Sequence, residues 1–135
     1  MAIRYSIGRT PDNIFTRQKM KKLSGFRIVF NDSVPARMMD AFLDNWGLDL
    51  TKTDIAEIAG VSRDSIYRIL PIWEKLGIVK ETRKIGATTL YTLNKDNEAV
   101  KALKTFDWKL TEYIIDKEIE LEEPLKPIKI AIEAA

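Results

Sequence analysis

The stretch IAEIAGVSRDSIYRIL, residues 55–70, decides the fold of this chain. It places Gly60 four residues after Ala56 and starts a second apolar-periodic segment just after Ser62. Two helices that meet at a steep angle need a small residue where they cross and a tight turn between them. Ala56 meets the first need and Gly60 the second, because glycine adopts the left-handed turn conformation without steric cost. The apolar contacts that lock the pair are expected from Ile55, Ala59, Val61, Ile66 and Ile69.

Capping residues predict where both helices begin and end. Thr51 and Asp54 form a capping box in TKTD, so a helix of about two turns is expected to follow. Ser62 caps the second helix, which is predicted to run to Leu76, with Gly77 in the left-handed position after it. Pro71 predicts a kink within this second helix, because proline has no backbone N–H to donate to the preceding turn. The residues predicted to face inward are Ile55, Ile58 and Ala59 in the first helix, and Ile66, Ile69, Leu70, Trp73 and Leu76 in the second.

Helix and strand patterns flank this motif on both sides. Pro35 is predicted to open a helix to about Trp46, with Asp40 and Asp44 on its solvent side. Its apolar stripe comprises Met39, Phe42, Leu43 and Trp46. Downstream, IVKETRKIGATTLYTL predicts two strands, 78–84 and 89–93, which form a hairpin with Gly86 at its tip.

A long helix is predicted from Asn94 or Asp96 to about Ile119. Five apolar residues recur along it at 4-3-4-3 spacing, which is typical of a helix that pairs with another helix. They are Ala99, Leu103, Phe106, Leu110 and Tyr113. We expect this seam to form a homodimer; packing within the same chain is the alternative. The tail, residues 121–135, is either a loose extension or a strand added to another sheet.

Positive charge is concentrated at the N-terminus. The net charge is only +2, yet residues 1–30 contain seven Lys/Arg against one acidic residue. A basic helix is predicted from about 11 to 23, with Gly25 just past its end. This distribution favours a polyanion as the partner of residues 1–30, which we interpret as a basic arm.

Missing residue types limit the chemistry that is available. The 135 residues include no cysteine and no histidine, which excludes disulfides, Cys/His zinc sites and catalysis by thiols or imidazoles. No common catalytic motif occurs either, so we expect a protein that is not an enzyme and uses no metal or cofactor. No apolar run approaches the roughly 18 residues of a membrane span, and the N-terminus lacks the features of a secretory signal. A cytoplasmic location is expected.

The segment TKTDIAEIAGVSRDSIYRIL, residues 51–70, resembles the helix-turn-helix family of DNA-binding domains. Ala56 and Gly60 fall at the two sterically restricted positions of that family. Followed by WEKLGIVKETRKIGATTLYTLN, residues 73–94, it is similar to the winged-helix class of small bacterial and archaeal transcription regulators. The resemblance implies a mainly α fold with a small β-hairpin. It divides the chain into a basic arm over 1–30, a winged helix-turn-helix domain over 31–93, a dimerisation helix over 94–120 and the tail.

Double-stranded DNA is the partner that the resemblance implies. The N-terminus of the second motif helix favours a phosphate, and an arginine there can recognise guanine through two hydrogen bonds, so Arg63 and Arg68 are the leading base-reading candidates. The hairpin is expected along the backbone or in the minor groove. All candidate DNA contacts are Lys52, Ser62, Arg63, Asp64, Ser65, Tyr67, Arg68, Arg83, Lys84, Thr88 and Thr89. A sequence-specific regulator is the first hypothesis; the alternative is a non-specific architectural, replication or partition protein, or a winged-helix module for protein contacts.

Overall fold

A computed structural model describes residues 24–121 as five helices and three strands. In chain order these are α1 (Gly25–Val29), α2 (Val34–Asp44), β1 (Leu50–Thr51), α3 (Lys52–Ala59), α4 (Arg63–Lys75), β2 (Val79–Ile85), β3 (Thr88–Leu93) and α5 (Glu98–Asp116). The helix predicted for residues 11–23 and the tail after residue 121 lie outside the described residues. The predicted fold class, mainly α with a small hairpin, is confirmed.

Helix α2 supplies much of the hydrophobic core. Ser33 caps it by accepting a hydrogen bond from a backbone N–H in the first turn. Three residues of the predicted stripe, Met39, Phe42 and Leu43, are buried, and Trp46 packs against the same core from beyond the end of the helix. The core therefore forms on the face of α2 that the sequence periodicity indicates.

The two aspartates of α2 differ in environment. Asp44 is exposed, as expected, but the prediction that Asp40 faces solvent is wrong. Asp40 is only 7% exposed, and its carboxylate accepts a hydrogen bond from Ser24 Oγ at 3.1 Å. A buried carboxylate requires polar partners, and this one connects α2 to the start of α1.

Helices α3 and α4 form the predicted pair around the turn at Gly60. The capping box is present, because Thr51 Oγ1 accepts from the Asp54 N–H at 2.9 Å and the Asp54 carboxylate accepts from the Thr51 N–H at 3.0 Å. Gly60 has φ 69° and ψ 41°, the left-handed conformation expected at the turn. Ile55 of α3 and Ile66 of α4 are fully buried in the same core.

Two residues predicted on the inner faces of these helices are exposed instead. Ile58 is 49% exposed and Leu76 is 62% exposed. Helix α3 packs through Ile55 and Ala59, one turn apart, so Ile58 falls at the edge of the buried face. Leu76 is the C-terminal cap of α4, where the chain leaves the core.

Replacing Gly60 by alanine is expected to destabilise the fold by about 1–2 kcal/mol, the usual cost of a left-handed backbone for a residue with a Cβ. A Cβ built on Gly60 meets no atom within 4 Å, so backbone strain, not a clash, causes the loss. Urea unfolding followed by circular dichroism measures it. Gly60→Asn is the matched variant because asparagine tolerates this conformation better; equal losses for the two variants would contradict the explanation.

Helix α4 continues through Pro71, at which the sequence predicts a kink. Proline cannot donate the hydrogen bond that would reach the Tyr67 carbonyl. Pro71 is exposed, so this loss occurs on the solvent side of the helix, where water can replace the missing donor. The kink itself stays a prediction.

The three strands of the described chain form one antiparallel sheet in the order β1-β3-β2. Strands β2 and β3 are the predicted hairpin, whereas β1 has no counterpart in the sequence prediction. It pairs Leu50 with Tyr91. The register of β2 shifts between Glu81 and Arg83, which leaves Thr82 as the extra residue of a bulge.

Helix α1 lies in the segment that the sequence assigns to the basic arm. Gly25, expected just past the end of a helix, instead begins one, and Ser24 caps it. Helices α1 and α5 approach closely here, since a Cβ on Gly25 would lie 2.5 Å from Ile114 Cδ1. Residues ahead of the predicted boundary at residue 31 therefore also pack against the helices that follow it.

The start of α5 also differs from the prediction. Asn97 caps the helix, in place of Asn94 or Asp96. Asn94 instead accepts a hydrogen bond from the Asp96 N–H at 3.2 Å and donates to the Gly77 carbonyl at 3.1 Å. These contacts hold the loop after β3 against the end of α4.

An ion-pair cluster connects the corner between α1 and α2 to the helix-turn-helix. The Asp32 carboxylate accepts from Arg27 Nε at 2.5 Å and from Arg37 Nη2 at 3.1 Å. Arg37 Nη1 also donates to the Gly60 carbonyl at 3.3 Å. The turn between α3 and α4 is thus supported from α2.

Candidate nucleic-acid interface

Arg63 begins α4 and is held by two neutral groups. Its Nη1 donates to Thr53 Oγ1 at 2.8 Å, and its Nη2 donates to Tyr67 Oη at 3.1 Å. Within residues 24–121 no carboxylate forms an ion pair with Arg63. The guanidinium is therefore exposed, restricted in orientation and not compensated in charge, which suits it to bind a phosphate or a base edge.

Lys52 and the ring of Tyr67 lie next to Arg63 at the start of α4. Lys52 Nζ lies 4.5 Å from the centroid of the Tyr67 ring, and the guanidinium carbon of Arg63 lies 5.7 Å from it. The hydrogen bond from Arg63, together with the charges of Arg63 and Lys52, lowers the pKa of the Tyr67 hydroxyl. Tyr67 is 52% exposed, so one aromatic ring holds two cations at the same accessible surface.

Arg68, the other base-reading candidate, is paired with a carboxylate. Its Nε lies 3.3 Å from Asp64 Oδ2, one helical turn earlier. Both side chains are largely exposed, so the pair adds little to stability, but the carboxylate compensates the charge of Arg68 where DNA would approach. Because this exposed contact compensates the charge of Arg68 without holding its guanidinium firmly, Arg63 is the better placed of the two for contact with a base edge.

The two serines at the start of α4 serve the local structure. Ser62 Oγ accepts a hydrogen bond from the Ser65 N–H at 3.1 Å and caps the helix. Ser65, predicted as a DNA contact, is only 7% exposed and its hydroxyl lies 3.0 Å from that of Ser62, so its side chain is turned away from the surface that DNA would approach. Ser62 remains exposed.

Of the two candidate cations in the hairpin, one is paired with a carboxylate and one is not. The Asp49 carboxylate accepts from Thr82 Oγ1 at 2.8 Å and from Arg83 Nε at 2.9 Å. The Arg83 bond and then the Thr82 bond lower the pKa of Asp49, and the same carboxylate raises the pKa of Arg83. Lys84 is exposed and has no ion pair within the described residues.

The hairpin tip presents the remaining candidates together. Lys84 lies opposite Thr89, and Ile85 lies opposite Thr88. Lys84 and Thr88 are exposed, and Thr89 is partly buried. The tip thus offers the charge of Lys84 on one face of the hairpin and the accessible hydroxyl of Thr88 on the other.

The order and packing of these elements match a solved structure. A mutant of Lactococcus lactis ZitR in its apo form aligns with 94% of this chain and 96% of its own, with a TM-score of 0.50 and 17% sequence identity. The chain has the winged helix-turn-helix fold. The adhesin competence repressor AdcR from Streptococcus pyogenes aligns with 91% of this chain and 87% of its own, with a TM-score of 0.45 and 14% identity. No protein-family model matches the sequence, and no curated protein matches it significantly.

In the nomenclature of this fold, the helix at the position of α4 is termed the recognition helix and the β2–β3 hairpin is termed the wing. Sequence reasoning missed Thr53 and Asp49, which orient the arginines of these two elements. Thr53 bonds a side chain ten residues away and Asp49 bonds one 34 residues away, so no local spacing could indicate either role. Only the fold brings them into contact.

Some residues of the predicted seam of α5 pack within the chain, and the others are exposed to solvent. Leu103 packs against the core of the winged helix-turn-helix, and Leu110 lies against α1. These two residues match the alternative of packing within the chain. Ala99 is exposed, Phe106 is 40% exposed and Tyr113 is 57% exposed. The side of α5 that remains accessible is narrower than the spacing predicts, because α1 covers part of it.

Exposed aromatic residues continue from α5 onto α1. The Phe106 ring centroid lies 6.3 Å from that of Phe30, which is 46% exposed. Val29 beside it is 52% exposed. We refer to Val29, Phe30, Phe106 and Tyr113 as the apolar face.

Residues 24–121 contain no group of three or more acidic side chains placed to hold a metal ion. None of the helices in this range is both long enough and apolar enough to span a bilayer.

Proposed function

We propose that the protein is a transcription regulator that binds a specific double-stranded DNA sequence as a homodimer in the cytoplasm. The observation that carries the proposal is Arg63, an arginine without an ion pair in the described chain, oriented by Thr53 and Tyr67 at the start of α4. In a helix-turn-helix the N-terminal residues of the recognition helix contact base edges in the major groove. Lys52 adds a cation at the same surface for the phosphate backbone.

The pairing of two other arginines favours specific over non-specific binding. Non-specific affinity for DNA depends on how many lysines and arginines neutralise phosphates. Arg68 is paired with Asp64, and Arg83 is paired with Asp49, so two cations of the candidate interface are already compensated. A surface for architectural binding gains nothing from these carboxylates, whereas the two bonds between Asp49 and Arg83 also orient that guanidinium for contact with a base edge.

Selection of binding sites from a library of random-sequence duplexes tests the proposal. We expect one sequence to be enriched and its affinity to fall steeply with salt, because bound lysines and arginines displace counterions. The double variant Arg63→Ala, Arg68→Ala is expected to lose the enrichment. Failure of the unmodified protein to enrich any sequence would contradict the proposal, and a protein partner retained by the double variant would favour the interaction-module alternative.

The apolar face supports the homodimer part of the proposal. Soluble monomers seldom expose large side chains side by side, and contiguous exposed apolar residues are typical of interaction sites. A twofold dimer would place two recognition helices about 34 Å apart, one turn of the duplex, and would require a roughly palindromic site.

Replacing Tyr113 by glutamate is expected to shift the protein from dimer to monomer, because the interface would then have to bury a charged carboxylate among apolar side chains. Tyr113 is 57% exposed, so folding should be preserved. Sedimentation velocity measures the change. Trp108→Glu is the matched control, since Trp108 is 50% exposed on roughly the opposite side of α5. A dimer that survives Tyr113→Glu, or monomerises equally in both variants, would contradict the assignment.

A further inference from the structure

Asp49, Thr82 and Arg83 form a hydrogen-bonded clamp at the base of the wing. The Asp49 carboxylate accepts three bonds, from Thr82 Oγ1 at 2.8 Å, from Arg83 Nε at 2.9 Å and from Arg83 Nη2 at 3.4 Å. The side chain of Asp49 is 23% exposed and that of Arg83 is 60% exposed. The carboxylate is therefore the sheltered partner, and the guanidinium extends from it toward solvent.

The bulge in β2 makes this clamp possible. Neighbouring residues of a regular strand point to opposite faces of the sheet, so Thr82 and Arg83 could not both reach one carboxylate. The register shift between Glu81 and Arg83 removes that alternation locally. Asp49 immediately precedes β1, which leads into the capped start of α3, so the clamp connects the wing to the helix-turn-helix.

The clamp changes what Arg83 can do at a DNA surface. A guanidinium has five N–H donors, and the carboxylate occupies one on Nε and one on Nη2. Both donors on Nη1 and the second donor on Nη2 remain, in fixed directions. Because its charge is compensated by Asp49, the clamped arginine contributes little to counterion release, but its directed donors can still recognise base edges.

We infer that Asp49 is a specificity-determining residue, which holds Arg83 as a reader of base edges in the groove that the wing enters. This inference rests on the proposed function. It assigns phosphate contact in the wing to Lys84, which has no ion pair within the described residues, and assigns base recognition to Arg83.

Replacing Asp49 by asparagine tests the inference. The variant removes the compensating charge and one of the two acceptor oxygens, so Arg83 becomes an uncompensated and less firmly held cation. We therefore expect tighter binding to a permuted duplex and a salt slope about one unit steeper. The ratio of affinities for the selected and the permuted duplex is expected to fall about tenfold, the discrimination of one good arginine–base pair. Fluorescence anisotropy titrations at several salt concentrations measure both quantities.

Two further variants separate the clamp from general effects of charge and folding. Asp96→Asn makes the same change of charge at an exposed position in the loop between β3 and α5, and it should leave the affinity ratio unchanged. Thr82→Val keeps every charge and removes one donor to Asp49, so it should lower the ratio in the same direction by a smaller factor. Circular dichroism confirms that each variant is folded.

The possible failures of this experiment are distinguishable. If the unmodified protein does not discriminate between any two duplexes, the proposed function fails and the inference fails with it. If it does discriminate, but Asp49→Asn and Thr82→Val keep the ratio and the salt slope of the unmodified protein, the inference alone is overturned. A ratio that falls equally in Asp96→Asn would also overturn it, because net charge would then explain the effect.

Discussion

Arg63→Ala is expected to weaken binding to the selected duplex by about 1–3 kcal/mol, or roughly 5- to 150-fold in Kd. Arg63 combines exposure, an uncompensated charge within the described chain and an orientation fixed by Thr53 and Tyr67. Removing it takes away both a base contact and a charge, so specific affinity and salt dependence should fall together. Anisotropy titrations against the selected and a permuted duplex measure the two effects.

Arg68→Ala is the matched comparison on the same helix. Its loss of affinity should be smaller, because Asp64 already compensates the charge of Arg68. Tyr67→Phe should cost less than Arg63→Ala and leave the salt slope unchanged, since it removes one hydrogen bond to Arg63 and no charge. Equal losses for Arg63→Ala and Arg68→Ala would contradict the ranking of the two arginines.

Ile66→Ala is expected to lower the free energy of unfolding by about 2–5 kcal/mol, the usual range for truncating a buried isoleucine. Ile66 is 0% exposed and anchors the recognition helix in the core. The truncation removes buried apolar surface and leaves a cavity that the neighbouring side chains fill only in part. Urea unfolding, monitored by tryptophan fluorescence, measures the change.

Ile72 provides the matched control, because it is the same residue type on the same helix and is 56% exposed. Ile72→Ala should change stability by no more than about 0.5 kcal/mol, as is usual for surface substitutions, and the higher helix propensity of alanine offsets part of any loss. A large loss at Ile72 would mean that this side chain is covered, for example by a second copy of the chain.

Local signals predicted the fold because they act over a few residues. The capping box of Thr51 and Asp54, the left-handed Gly60 and the apolar spacing of Ile55 and Ile66 each restrict the backbone within one or two turns. Errors arose where tertiary contacts override such signals. Glycine is typical of the residue just after a helix, so the sequence indicates a helix end at Gly25. Helix α1 begins there instead, because a glycine permits the close approach of α5.

The sequence predicted which residues belong to the candidate site, but it did not predict which of its arginines form ion pairs with carboxylates. Arg63, Arg68 and Arg83 were all identified as cations of the interface, yet the sequence could not distinguish the one without an ion pair from the two that face carboxylates. Asp64 lies one helical turn from Arg68, so the i,i+4 spacing of a helix could have predicted that ion pair. Asp49 is brought to Arg83 only by the sheet, and no spacing in the sequence indicates it.

The strand order described above also bears on the solubility of the protein. With β3 between the other two strands, β2 has one edge that no strand of residues 24–121 covers. An open edge can pair with the edge of another molecule and initiate aggregation. From Lys80 to Ile85 every residue of β2 is exposed, four of the six are charged, and the bulge at Thr82 distorts the hydrogen-bonding register. The charges and the bulge that shape the wing therefore also discourage intermolecular strand pairing.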